Sequence, residues 1–234
     1  DYLRVNVGWP LRLARAFLEA DVERRLFLFV STVGVHGTLP GELPANEGTP
    51  YRPDGYYHAS KALAEMKLKE LSEEGLPLLV LRPTIMYGKH DRGFLKRLLD
   101  ISRRLVLPVP PDVVIHLLDV SVMAEVVEAC VRGKPRHQVL MVADEEPVGL
   151  LDLMAYLSGL VPGLRILRAP GKGMRLLSTF LRPLRRYGNL DLISGSWYYD
   201  VSRLKSALEV ELANTLRGVR KYLWWYVGRG SRRS

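Results

Sequence analysis

An α/β fold with a mainly parallel sheet is what this sequence predicts, and three observations lead there. Short continuous apolar runs recur, such as RRLFLFVST (24–32), LPLLVLRPT (76–84) and HQVLMVAD (137–144). Such unbroken runs mark strands buried on both faces, as parallel strands are. They alternate with amphipathic stretches of helical period, for example 56–74 and 121–132, and that alternation is the pattern of a helix-crossover sheet. Two of the runs end in hydroxyl residues, Ser31-Thr32 and Thr84. The carboxyl ends of parallel strands are where ligand crevices form.

Taken in order, residues 3–20 place Leu11, Ala14 and Leu18 on one helical face, with Pro10 kinking the segment or starting its better half. The run 24–32 is the first strand. Gly34–Asp54 is rich in Gly, Pro and Glu and reads as a long loop; loops of that length in a domain are usually functional. A helix over 56–74 points Ala59, Leu63, Met66 and Leu71 inward and stops at Gly75. The second strand, 76–84, is followed by a helix over 93–104 and a short strand, VIHLLDV (114–120). The helix 121–132 has Asp119 or Ser121 as its cap. Then come the strand 137–144, a helix over 149–160 and a small strand at 165–170. A basic amphipathic helix over 174–187 is broken by Pro183, and a last helix spans roughly 201–227.

Composition narrows the function classes. The chain has 234 residues, 47% hydrophobic and 25% charged, which suits a packed core and excludes a disordered or fibrous chain. One cysteine, Cys130, allows no intrachain disulfide and suits a reducing compartment. No apolar run is long enough for a membrane span. The net charge of +9 leaves phosphate-bearing ligands and anionic surfaces open. From Leu153 to Leu190 there is no acidic residue but seven basic ones, so peripheral membrane contact stays open beside phosphate attraction and a plain solvated face. No nucleic-acid motif is present, and no metal-ligand pattern stands out.

Two segments carry chemistry. Tyr57 and Lys61 are four residues apart at the start of a helix and share a face. An ammonium beside a phenol lowers the phenol's pKa, and such a tyrosine serves as general acid or base for a hydroxyl. The pair also occurs on many helices as a plain exposed contact. Ser31 and Thr32 end a buried strand and open into the long loop. A hydroxyl there can bond a reacting oxygen, or simply satisfy the strand end.

Together these segments resemble the extended short-chain dehydrogenase/reductases, the NAD-dependent epimerase/dehydratase family. Thr32 precedes Tyr57-x-x-x-Lys61 by 25 residues. Leu81-Arg82-Pro83 runs on to Tyr87-Gly88, His116-x-x-Asp119 follows, and Asp200-x-Ser202-x-x-Lys205 and Val5-Asn6-Val7 complete the order. The resemblance implies a Rossmann-type parallel sheet, incomplete because its first strands are missing, with a small C-terminal substrate lobe. Residues 1–144 would be the C-terminal part of the NAD(P)-binding domain, with a lobe segment near 89–111. Residues 145–234 would be mainly substrate lobe and C-terminal helix.

By the same resemblance Tyr57 would be the catalytic acid/base, Lys61 would hold the nicotinamide ribose, and Thr32 would orient the substrate hydroxyl, with Ser31 as substitute. Asn6 would support a water network at Lys61. Pro83 and Thr84 would lie by the nicotinamide and Ile85 by the substrate. The implied cofactor is NAD or NADP, the reaction an epimerase-type hydride transfer on a nucleotide sugar, the assembly a homodimer through the Asn6 and Tyr57 helices, and the location cytoplasmic. An NADPH-dependent carbonyl reductase, or a catalytically silent NAD(P)-binding scaffold, are the alternatives.

The departures shape the expectation. No Gly-x-x-Gly-x-x-Gly turn for a pyrophosphate occurs in the sequence; the expectation is a chain that carries the C-terminal part of such an enzyme. Dehydratases of the family place an Asp-Glu pair after the catalytic Thr. Here Val33 and Gly34 stand there, and neither exchanges a proton, which disfavours dehydration. Asp112 stands near where epimerases carry an Arg, Trp9 replaces a small Gly, Glu209 replaces a Gly, and His36 replaces a common Tyr and reads as structural.

Overall fold

Three of the apolar runs pair in parallel. The computed structural model describes residues 1–20, 26–133, 135, 138–170 and 190–230. Among them β1 (Phe27–Val30), β2 (Leu78–Pro83) and β7 (Gln138–Val142) form one sheet in the order β1-β2-β7. The register aligns Phe29 with Val80, and Val80 with Val139. Because side chains alternate along a strand, this row faces one side. There it meets Ala14 of helix α1 (Trp9–Glu19) and Ala64, Leu68 and Leu71 of helix α2 (Tyr56–Glu73) in one buried cluster. The alternate residues Leu79, Leu81 and Leu140 are also fully buried, so β2 and the centre of β7 are covered on both faces as their apolar runs predict, whereas in β1 Leu28 is half-buried and Val30 is exposed.

These elements belong to the first of two units of the chain, residues 1–84, 123–142 and 200–211. A π-helical turn, Arg4–Gly8, leads into α1, with Pro10 in the first turn, where no N–H is required of it. The unit also holds helix α4 (Val120–Gly133) from Met123 on, and the short helix α6 (Ser202–Ala207). Just before α6, Asp200 Oδ1 accepts from the Ser202 N–H at 2.8 Å.

The second unit comprises residues 85–122, 143–199 and 212–234. Strand β3 (Ile85–Tyr87) pairs in parallel with β6 (Leu117–Asp119), and β4 (Leu107–Val109) with β9 (Ile166–Arg168). Strand β5 (Val114–Ile115) lies antiparallel to β8 (Val148–Gly149). Helices α3 (Phe94–Arg104), α5 (Leu150–Leu160) and α7 (Thr215–Gly230) complete it. Helix α5 buries Leu150, Leu153, Met154 and Leu157, the spacing of one helical face.

Three expectations change. Of the residues expected inward on α2 only Leu71 is buried; Ala59, Leu63 and Met66 are exposed, and the face turned to the sheet carries Ala64, Leu68 and Leu71. The single strand over 114–120 is two short strands, because His116 between them bonds with both ring nitrogens: Nε2 to the Asp144 carbonyl at 2.9 Å and Nδ1 to the Tyr199 N–H at 3.3 Å. The last helix is not continuous over 201–227. It stops at Ala207, and Leu208 is extended. α7 begins anew at Thr215, where Asn214 accepts from the Arg217 N–H at 3.2 Å as a cap. Of the two caps expected for α4, Asp119 is the one used: its Oδ1 accepts from the Ser121 N–H at 2.9 Å. The basic helix expected over 174–187 lies outside the described residues.

Candidate active site

The site is built where β1 ends and α2 begins, within the first unit. Ser31 extends the β1 ladder, its N–H donating to Leu81 O at 2.7 Å. Its hydroxyl is buried and has no hydrogen-bond partner among the described residues. Thr32 caps the tight 3-10 turn Val33–His36, its Oγ1 accepting from the Gly34 N–H at 3.1 Å. Tyr57 lies in the first turn of α2 and is 40% exposed. One turn on, Lys61 Nζ donates to Val30 O at 2.8 Å and sits 4.8 Å from the Phe29 ring centre. That bond ties the helix to the strand end carrying Ser31 and Thr32. It uses one of three ammonium protons.

The rest of the helix start is locked from the other side. Asn6 Nδ2 donates to Ser60 Oγ at 3.0 Å, and Ser60 Oγ donates to Tyr57 O at 2.7 Å. Asn6 therefore reaches the Tyr57–Lys61 turn through Ser60. The Tyr2 ring packs edge-on against Tyr57 at 6.0 Å.

The protonation of this pair differs from expectation. Tyr57 titrates above an ordinary tyrosine, because burial disfavours the phenolate and Tyr2 adds to it. Lys61 is held below an ordinary lysine by burial, which outweighs the pull of Glu65. Burial and Tyr2 set the direction for Tyr57, and the Lys61 ammonium bonds Val30 O.

Behind the site lies a buried ion pair that no spacing rule flagged. Arg82 of β2 and Glu65 of α2 are each 2% exposed. Arg82 Nη2 meets Glu65 Oε2 at 2.6 Å, and Nε lies 3.2 Å and 3.1 Å from Oε1 and Oε2. The same guanidinium donates to Tyr51 OH at 2.9 Å and Glu47 O at 3.2 Å. Its Nη1 lies 3.1 Å from His36 Nε2. A guanidinium only donates, so His36 Nε2 accepts and Nδ1 donates to Pro50 O at 3.1 Å. Burial, with Arg82 beside it, holds this histidine neutral. Tyr51, between Glu65 and Arg82, is pushed up to about 12, chiefly by burial. His36 is thus structural: it pins the long loop 38–54 to β2. The one signal for Glu65 in the sequence is its place one turn beyond Lys61.

Pro83 ends β2, and the Thr84 N–H donates to Val142 O at 3.0 Å, so this pair closes the sheet at the same carboxyl end. Ile85 opens β3 and belongs to the second unit.

That second unit holds its own polar cluster, also unforeseen. Asp144 is fully buried. Its Oδ2 accepts from Tyr87 OH and from Thr215 Oγ1, each at 2.8 Å, and its Oδ1 accepts from the Asp119 N–H at 2.8 Å. Burial nevertheless raises Asp144 to about 6, against the pull of these bonds and helped by Asp119. Gly218 is required beside it, since a Cβ there would fall 2.1 Å from Tyr87 OH.

The family model described as NAD dependent epimerase/dehydratase family matches residues 1–110. That match covers just under half of the chain. The chain is 26% identical over 165 residues to UDP-glucose 4-epimerase of Vibrio cholerae, covering 67% of this chain and 49% of that protein. It thus spans about half the length of this curated relative. Among solved structures it resembles UDP-N-acetylglucosamine 4-epimerase of Methanobrevibacter ruminantium, solved with UDP-N-acetylmuramic acid, at TM-score 0.73 and 17% identity over 97% of this chain and 70% of that one. RMD of Pseudomonas aeruginosa, solved with NADPH, superposes at TM-score 0.71 and 21% identity over 96% of this chain and 74% of that one. These likenesses establish the α/β fold. Among the described residues no helix is long and apolar enough to cross a membrane.

Proposed function

We propose that this chain carries the acid–base half of an NAD(P)-dependent epimerase-type oxidoreductase acting on a nucleotide sugar, with Tyr57 as the proton-exchanging residue. The observation that carries this reading is the tie between Lys61 Nζ and Val30 O at 2.8 Å. It sets Tyr57, Lys61, Ser31 and Thr32 around one strand end. The family match over residues 1–110 and the UDP-sugar relatives support the class of reaction.

The residues fit the nicotinamide-ribose end of a dinucleotide. Ser31 offers an unpartnered buried hydroxyl, and Lys61 has two ammonium protons beyond its bond to Val30 O. Lys61 and Tyr57 would hold the ribose, and Pro83 and Thr84 would border the nicotinamide. The bound nicotinamide supplies the hydride acceptor and donor. Tyr57 takes the proton of a substrate hydroxyl as that carbon is oxidised and returns it on reduction. Because burial raises Tyr57 in the chain by itself, it is mostly a phenol there, and positive charge beside the ring would favour the phenolate. Thr32 orients the same hydroxyl, and Ile85 borders the substrate. A pyrophosphate-binding Gly-rich turn does not occur in these 234 residues.

An isologous dimer through the outer faces of the π-turn, α1 and α2 belongs to the same proposal. Tyr2, Leu3, Val5, Trp9, Leu13 and Met66 are all at least half exposed there, a run of apolar surface that marks contact sites. The test is turnover of UDP-hexoses by the protein supplied with NAD or NADP, read by sugar NMR. Interconversion of 4-epimers supports the reading; absence of turnover on every nucleotide sugar tried overturns it.

A further inference from the structure

Gly34 and His58 share one space. A Cβ built on Gly34 would fall 2.4 Å from both Cδ2 and Nε2 of His58 and 2.9 Å from Cε1. The position two residues after Thr32 therefore has no side chain, and an imidazole from α2 fills its place. The ring is also oriented. His58 Nδ1 lies 2.7 Å from Asp54 Oδ1, and Asp54 Oδ2 accepts from the Thr38 N–H at 2.8 Å. Asp54 is itself held by the loop. The Arg52 N–H donates to Val35 O at 2.9 Å, and Gly37, at φ 92°, brings its backbone so close that a Cβ would fall 2.9 Å from Arg52 O. The His58 side chain remains 23% exposed, and no bond to its Nε2 occurs among the described residues. The Tyr57 ring stands 5.6 Å away, tilted.

We propose that the Asp54–His58 pair is a second acid–base group of the Tyr57 site, with Nε2 as the exchanging atom. The proposal rests on the reading of Tyr57 given above and adds a second proton position to it. With Nδ1–H donated to Asp54, Nε2 keeps its lone pair. A neighbouring O–H of a bound polyol loses its proton to Nε2: the O–H bond breaks, an N–H bond forms, and the imidazolium is offset by the Asp54 carboxylate. The proton returns by the reverse path. The ligand class this suits is a vicinal diol, one hydroxyl serving Tyr57 and its neighbour His58. The groups around His58 are few. Asp54 faces it from the loop, Gly34 from the 3-10 turn carries no charge, and Tyr57 precedes it on α2 with Lys61 one turn on. Asp54 stays below an ordinary aspartate: burial raises it, but the bonds from Thr38 and His58 lower it further.

The test begins with histidine nitrogen NMR of the full chain without ligand. His58 is expected in its Nδ1–H tautomer when neutral, and Asp54→Asn should release it into a mixture of tautomers. In turnover, His58→Gln should lower kcat about 100-fold with KM within threefold. Gly34→Ala, which displaces the ring without removing it, should give the same loss. An unchanged tautomer in Asp54→Asn, or an unchanged kcat in His58→Gln, overturns the proposal. A fully active Tyr57→Phe overturns the Tyr57 reading instead and leaves the His58 tautomer where it was, so the two failures are distinct.

Discussion

The two units each bury a carboxylate, and they satisfy it in opposite ways. In the first, Glu65 meets a guanidinium through Arg82, and the pair is surrounded by Tyr51, His36 and the Glu47 carbonyl. In the second, Asp144 has no cation among its bonding partners in the described residues, where it meets the donors of Tyr87, Thr215 and Asp119. The first arrangement fixes a loop against a strand with charge on both sides. The second leaves a carboxyl whose burial cost is met by taking up a proton near neutrality. Charge compensation accompanies the unit that carries the Tyr57 site, where a long loop has to be held still.

Breaking the compensated pair should have the largest effect on stability. Glu65→Leu leaves Arg82 buried and unpaired, which costs about 3–5 kcal/mol. Urea denaturation should show the midpoint falling accordingly. A loss below about 1 kcal/mol would mean that Tyr51, His36 and Glu47 satisfy Arg82 without its partner.

The uncompensated carboxylate should show itself in pH dependence. Asp144 titrates at about 6 when folded and near the ordinary 3.8 when unfolded. The folded state thus binds more protons between these values, so stability is fullest below about pH 4 and falls as pH rises through 6. The drop is on the order of 3 kcal/mol at most. Comparing pH 4.5 with pH 7 for the parent and Asp144→Asn isolates it, because the variant should lose this slope. A parent slope unchanged in the variant would assign it to other groups.

The smallest expected effect is at Cys130. The thiol is fully buried, and burial raises it to about 11, so alkylation of the native chain at pH 8 should be slow and should quicken only on unfolding. Rapid native alkylation would mean that α4 opens locally.

The same contrast marks what could be read from the residues. Local patterns were legible. The apolar runs gave three parallel strands, and Tyr57 and Lys61 fell on one face because their relation is a single helical turn. His58 and Asp54 are also four apart, so a signal existed, but Asp54 lies outside the helix and the pair showed no periodicity. Non-local pairings were not legible. Arg82 and Glu65 come from different elements, and Tyr87 and Asp144 meet across 57 residues, with no pattern linking them. Residues 208–214 contain no Gly or Pro, so the break between α6 and α7 was marked only by Asn214, a cap that the apolar spacing around it concealed. The Tyr57 pKa is raised because burial dominates, with Tyr2 beside it, and burial is not determined by a four-residue spacing.

The central claim is that Tyr57 exchanges the substrate proton, and turnover of a nucleotide sugar by Tyr57→Phe tests it most directly. The phenyl ring keeps the packing against Tyr2 and removes only the hydroxyl. The account predicts that kcat falls about 100- to 10,000-fold while affinity for NAD(H) or NADP(H) changes less than about threefold. A Tyr57→Phe enzyme as active as the parent would contradict it.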